Sequence, residues 1–192
     1  MDQTRRTLMM AAGAAALLPG ATLASNAPVL DAVPPLPKLP TPGKPGDFNF
    51  LAGEWKIRHW RLPAGAKEWD HFEGEATCWT ILGGVGSVEE LRIPARNFSG
   101  MGLRLLDVEQ QRWSDFWVNA RSGALTPPGL QGSFEQGVGL FWAEEEVAGR
   151  KTISLGIWDS ITPHGCRWRQ VVSEDGGQSW AHNWVMEWRR AK

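Results

Sequence analysis

The chain has 192 residues, 21% of them charged, with a formal net charge of −1 at pH 7 and a mean hydropathy of −0.30. That balance leaves no basic excess to neutralise phosphates, which excludes nucleic acid as a partner. Twelve tryptophans, no tyrosine and two cysteines point to a large aromatic interior rather than a disulfide framework, with Cys78 and Cys166 either paired or buried as small apolar thiols.

Residues 1–24 read as an export leader. Arg5 and Arg6 precede an apolar run, Leu8 to Leu18, rich in alanine and glycine, and the arrangement resembles a bacterial twin-arginine signal. Thr22-Leu23-Ala24 or Ser25-Asn26-Ala27 offers a small-residue cleavage site. The run is shorter than the roughly 20 residues that span a bilayer. The mature chain is therefore expected to carry no transmembrane helix and to reside in the periplasm or outside the cell. Residues 25–46 follow with Pro28, Pro34, Pro35, Pro37, Pro40, Pro42 and Pro45. Proline at this density fixes φ and removes donors, so an extended linker with no fold of its own is expected. The globular domain is expected over 47–192.

Within it, runs rich in β-branched and aromatic residues alternate with Gly, Pro and Asp turns. They predict strands at Glu54–Leu62, Phe72–Leu82, Ser87–Ile93, Gly100–Asp107, Arg112–Ala120, Leu130–Phe134, Gly139–Glu146, Lys151–Trp158, Cys166–Ser173 and Ala181–Arg189. No stretch holds a capped 3.6-residue apolar period, so little helix is expected. Asp107 to Trp113 and Asp175 to Trp180 read as hairpin tips. The second, with Ser173, fits the Asp-box pattern Ser-x-Asp-x-Gly-x-x-Trp of sialidase-type propellers, but a single copy reads as a hairpin. A meander this long must hide its edges, which favours an all-β, antiparallel up-and-down barrel of about ten strands over a two-sheet sandwich.

Phe50-Leu51-Ala52-Gly53-Glu54-Trp55 contains a Gly-x-Trp at the start of the first strand, and this resembles the opening signature of lipocalins and the wider calycin group. The resemblance implies a lipocalin-like barrel whose first tryptophan plugs one end beneath a basic residue from the last strand, here Arg189 or Arg190. Residues 48–190 also resemble a family of uncharacterised bacterial proteins that open with Phe-Leu-x-Gly-Glu-Trp and close with Asp-Gly-Gly-x-x-Trp followed by Asn-Trp. It implies a fold and no established activity.

Alternate residues of a barrel strand point inward. Parity with tryptophan groups Trp55, Ile57, His59 and Arg61; Trp113, Asp115, Trp117, Asn119 and Arg121; Trp142 with Glu144; Trp168 with Gln170; and His182 with Trp184, Met186 and Trp188. On the second and eighth strands either face suits the interior. The candidate ligand-binding residues are Trp55, Arg61, Trp117, Asn119, Arg121, Trp142, Trp158, Trp168, Gln170 and Trp184. Closure would make the first and last strands neighbours and is expected to bring His59 and His182 together beside Trp55 or Trp184. These two, with Glu144 or Asp115 beside indole, are the candidate acid–base residues. The carboxylates would otherwise simply pair with Arg61, Arg121 or Arg169. The four histidines lack metal-ligand spacing, and no nucleophile elbow, phosphate loop or dinucleotide fingerprint occurs, so no metal or cofactor is implied. A single cavity histidine would still suit a haem. The leading expectation is a barrel that binds a small apolar or aromatic molecule. A metal-independent lyase, isomerase or hydrolase and a structural envelope domain with a filled core are the alternatives, and no oligomeric state is specified.

Overall fold

Apolar–polar alternation, interrupted by Gly and Asp turns, yields ten strands in chain order: β1 Gly53–Arg61, β2 Asp70–Ile81, β3 Gly86–Ile93, β4 Phe98–Asp107, β5 Arg112–Asn119, β6 Leu130–Glu135, β7 Val138–Val147, β8 Arg150–Asp159, β9 Gly165–Ser173 and β10 Ala181–Arg190. The structure is a computed structural model that describes residues 27–37, 41–147 and 149–192. The leader read over 1–24 lies outside the described residues. Each strand pairs antiparallel with its neighbours in sequence, and β1 closes on β10, from Trp55 opposite Arg190 to Arg61 opposite Trp184. The fold is thus all-β, a closed ten-stranded up-and-down antiparallel barrel. Among the described residues no helix is long and apolar enough to cross a membrane.

One end of the barrel is filled. A 3-10 turn at Asn49–Leu51 folds across it and places Phe48 and Leu51 against Trp55, Trp113, Phe141 and Trp188, all buried. The rings meet largely edge to face: Phe48 and Trp113 at 5.0 Å and 79°, Trp55 and Trp188 at 5.8 Å and 79°. This is the arrangement that the indole quadrupole favours. Trp55 Nε1 donates to Leu51 O at 2.6 Å. Arg190, not Arg189, lies over the Trp55 ring at 4.0 Å and donates to the carbonyls of Ala52 and Phe50. Cys78 and Cys166 are buried free thiols in this region. They are therefore the buried, unpaired thiols of the second sequence reading, and burial, with Glu89 adding to it, pushes Cys78 up to about 12.

Register assigns the faces. On β8, Ser154 and Trp158 point inward, whereas Leu155 and Ile157 point outward and yet are fully buried. The reason is the proline-rich segment. Val33 and Leu36 pack on Leu155, Ile157 and Val171, together with Trp142 and Trp180. Arg169 donates to the Asp31 carbonyl at 2.8 Å, and Arg167 pairs with the Asp31 carboxylate. Residues 27–37 are extended, as proline requires, but they are docked on the barrel wall rather than free of it. On β2 the inward set is Phe72, Gly74, Ala76 and Cys78, and Trp79 is outside, 46% exposed.

Replacing both Val33 and Leu36 with serine removes two half-buried aliphatic contacts. The expected loss is about 2 kcal/mol, or a fall in melting temperature of roughly 4–8 °C for a domain of this size. Calorimetry reads it, alongside faster proteolysis within residues 27–37. An unchanged melting temperature would mean that the segment does not bear on the barrel.

Candidate functional site

The opposite half of the barrel encloses a cavity of about 440 Å³. Its walls are Trp158 of β8, Trp168 and Gln170 of β9, Trp184 and Met186 of β10 and Leu91 of β3. Trp168 and Trp184 meet edge to face at 6.1 Å and 81°. Room for these rings comes from small inward residues. A Cβ on Gly156 would stand 3.2 Å from Trp168 Nε1, and one on Gly100 would stand 2.3 Å from Trp117. The mouth forms where β5 and β6 part. Their pairing runs only from Trp113 opposite Gly132 to Asp115 opposite Leu130. Beyond it, Trp117, 43% exposed, faces the loop Thr126–Gly129 across the opening.

At the floor lies a buried charged group of which only Asp115 was among the sequence candidates. Arg104 of β4 is 4% exposed, donates Nη2 to Glu89 Oε2 at 2.6 Å and holds Nε 3.2 Å from Asp115 Oδ1. Its guanidinium lies 5.4 Å from the Trp158 ring and 5.5 Å from Phe48. Burial works against the charge on Arg104, but Asp115 and Glu89 outweigh it and hold the proton firmly. Burial pushes Asp115 up to about 6; the Arg104 charge opposes that rise and Glu89 adds to it. A glycine again makes the space: a Cβ on Gly102 would stand 2.8 Å from Arg104 Nη2 and 2.9 Å from Glu89 Oε2. The sequence signal was parity. Glu89 shares parity with Leu91, and Arg104 with Leu106, on strands whose inward residues are otherwise apolar or small.

The cavity gathers four of the ten candidate binding residues as walls, Trp158, Trp168, Gln170 and Trp184, and sets Trp117 at its mouth. Arg61 stacks on the Trp184 ring at 5.0 Å. Asn119 instead caps the turn after β5, accepting from Arg121 N at 2.9 Å, and Arg121 lies over Phe98 at 5.9 Å. Trp55 belongs to the filled end, away from the cavity. Trp142 and Glu144 face outward, because Trp142 pairs with the outward Leu155. Trp142 packs under the proline-rich segment, and Glu144, at the rim, turns its carboxylate to Lys151 at 2.6 Å.

The two histidines do not meet. A bulge between His182 and Trp184 shifts the register of β10, so that His182 opposes the outward Val171. His182 therefore lies on the outer face near Arg169 and Asp31, where burial and then the Arg169 charge lower its pKa. His59 points inward but sits behind Trp184 and Met186, fully buried. Its ring stacks on Phe72 at 4.7 Å and 9°, and Nδ1 accepts from Trp184 Nε1 at 3.3 Å. No histidine lines the cavity among the described residues, His59 and His182 included, so the lining does not fit a haem with a histidine ligand. Three or more potential metal ligands do not cluster among the described residues.

Burial, reinforced by the Arg96 charge, lowers His59 to about 3. A histidine held neutral in the folded state makes folding costlier as pH falls below its ordinary value of 6.5, down to about 3. Asp115, raised in the folded state, acts with the opposite sign between about 6 and 3.8. The difference between the wild type and His59→Gln isolates the histidine. Between pH 7 and pH 5 the wild type should lose about 2 kcal/mol relative to the variant, as read by urea denaturation at each pH. Parallel pH profiles would show that His59 titrates normally.

No family model and no curated protein matches the chain. Nine chains of solved structures match. One is a protein of unknown function from the DUF3598 family of Nostoc punctiforme, 11% identical, with a TM-score of 0.41 over 81% of this chain and 53% of that one. The chain thus spans about half the length of that protein.

Proposed function

We propose that this chain is an exported, lipocalin-like binding barrel that takes a small, flat, apolar or aromatic molecule into the cavity between Trp158, Trp168 and Trp184. The observation that carries the reading is the division of the interior. One end of it is filled by buried aromatic and aliphatic side chains, while the other is walled by indole and left open at about 440 Å³, a volume suited to a small ligand. A filled core would have been the mark of a purely structural domain. The Gly53-x-Trp55 opening with Arg190 across the indole supports the lipocalin-like assignment. Arg5-Arg6 ahead of Leu8 to Leu18 supports twin-arginine export.

Titration with N-phenyl-1-naphthylamine, followed through tryptophan quenching and probe emission, should show saturable binding. Trp168→Ala should weaken it about tenfold, the worth of one well-placed aromatic contact. Trp142→Ala, on the outer face, should leave it within twofold. Equal losses from both variants would place the probe elsewhere. Export is read by fractionating a Gram-negative host: Arg5→Lys with Arg6→Lys should shift the chain from periplasm to cytoplasm, and unchanged export would remove the twin-arginine reading.

A further inference from the structure

The floor of the cavity has hydrogen-bonding capacity left over on both sides. A guanidinium offers five N–H donors. Arg104 directs Nη2 to Glu89; its Nε lies 3.2 Å from Asp115 Oδ1 without forming a hydrogen bond of good geometry, and its buried Nη1 has no hydrogen-bond partner among the described residues. Trp158 Nε1, against the same Asp115 carboxylate, also forms no hydrogen bond of good geometry. On the acceptor side, two carboxylates share one guanidinium. An ionised carboxylate has about four lone-pair positions, so Asp115, which lines the cavity, keeps acceptor sites to spare. An unmet donor and an unmet acceptor therefore lie side by side at the closed end of an indole-walled slot.

We propose that the occupant is a neutral, flat heteroaromatic ring carrying a secondary lactam, its carbonyl oxygen accepting from Arg104 Nη1 and its adjacent ring N–H donating to Asp115. The inference rests on the binding reading above and names the ligand class for that site. Competing chemistries each leave a debt. A hydrocarbon satisfies neither group. A carboxylate answers Arg104 but brings a third negative charge beside Glu89 and Asp115. An organic cation answers Asp115 but leaves Arg104 Nη1 buried and bare. The lactam edge answers both without adding charge, and its ring presents π-faces to Trp158, Trp168 and Trp184.

Calorimetric titration of the mature protein with quinolin-2(1H)-one, its 1-methyl derivative and quinoline tests this directly. Quinolin-2(1H)-one should bind at least about tenfold more tightly than either of the others, a difference of 1.4 kcal/mol. In Asp115→Ala the lactam and its 1-methyl derivative should bind within about twofold of each other, because the acceptor for the N–H is gone. A merely structural role for Asp115 would weaken all three compounds alike and keep the preference. If the wild type binds the 1-methyl derivative or quinoline as tightly as the lactam, the inference falls while the binding reading stands. If none of the three binds, and N-phenyl-1-naphthylamine does not bind either, both fall. The wild-type comparison holds whether or not the variant folds.

Discussion

A ten-stranded barrel encloses more cross-section than one layer of inward side chains fills, since about eight strands already give an interior just wide enough to pack. The distribution of side-chain size along the strands therefore decides what the interior becomes. Here one end is filled by rings packed against one another. Phe48 and Leu51 enter from the turn before β1, and Trp55, Trp113, Phe141 and Trp188 close around them. Towards the other end the inward positions of β4 and β8 carry Gly100, Gly102, Ser154 and Gly156. Glycine there gives space rather than flexibility. Each lies where a Cβ would press on Trp117, Arg104 or Trp168, so the backbone yields volume to the rings and charges that line the cavity.

The charged floor follows from the same geometry. A guanidinium at 4% exposure is stable only if carboxylates replace its water. Glu89 and Asp115 do so from β3 and β5, the strands on either side of β4. Removing one member of such a group costs about 3–5 kcal/mol, because it strands the remaining charge in a dry interior. Glu89, Arg104 and Asp115 are thus one unit: any substitution that abolishes the charge of one demands a change in the others. A core of hydrocarbon would have been simpler. Retaining a three-membered ionic group beside open volume makes sense when the group also meets something that enters that volume.

Strand positions were legible from sequence because alternation, turn chemistry and the edge problem are local or topological. All ten strands fall within a few residues of their expected bounds, and closure put Trp55 and Arg190 in register as the Gly-x-Trp resemblance implied. Face assignments failed where a single residue or a distant segment intervenes. One bulge at His182 reverses the parity of the first residues of β10, and no residue type in Ala181-His182-Asn183 announces it. Trp142 was misplaced for a different reason. Parity with indole marks the interior only when the other face of the sheet is wet, and here Val33 and Leu36 cluster with Leu155, Ile157, Leu140 and Trp142 on the outer face of β7 and β8. Glu89 and Arg104 went unnoticed because charges in a strand ordinarily mark solvent, although both share parity with leucine.

The proline-rich segment and the cavity turn out to load the same strands from opposite sides. Along β8, Ile157 meets the segment and Trp158 the cavity; along β9, Arg169 meets the segment and Trp168 the cavity. A strand cannot move one of its faces without the other. Any outward shift of β8 and β9 that widened the slot between Trp158, Trp168 and Trp184 would press Leu155, Ile157 and Val171 into Val33 and Leu36. It would also displace Arg169, which is tied both to the Asp31 carbonyl and to Asp159 at 2.7 Å. Indole walls at fixed spacing suit a flat ring and penalise a thick one, and the extended segment outside the barrel is part of what fixes that spacing.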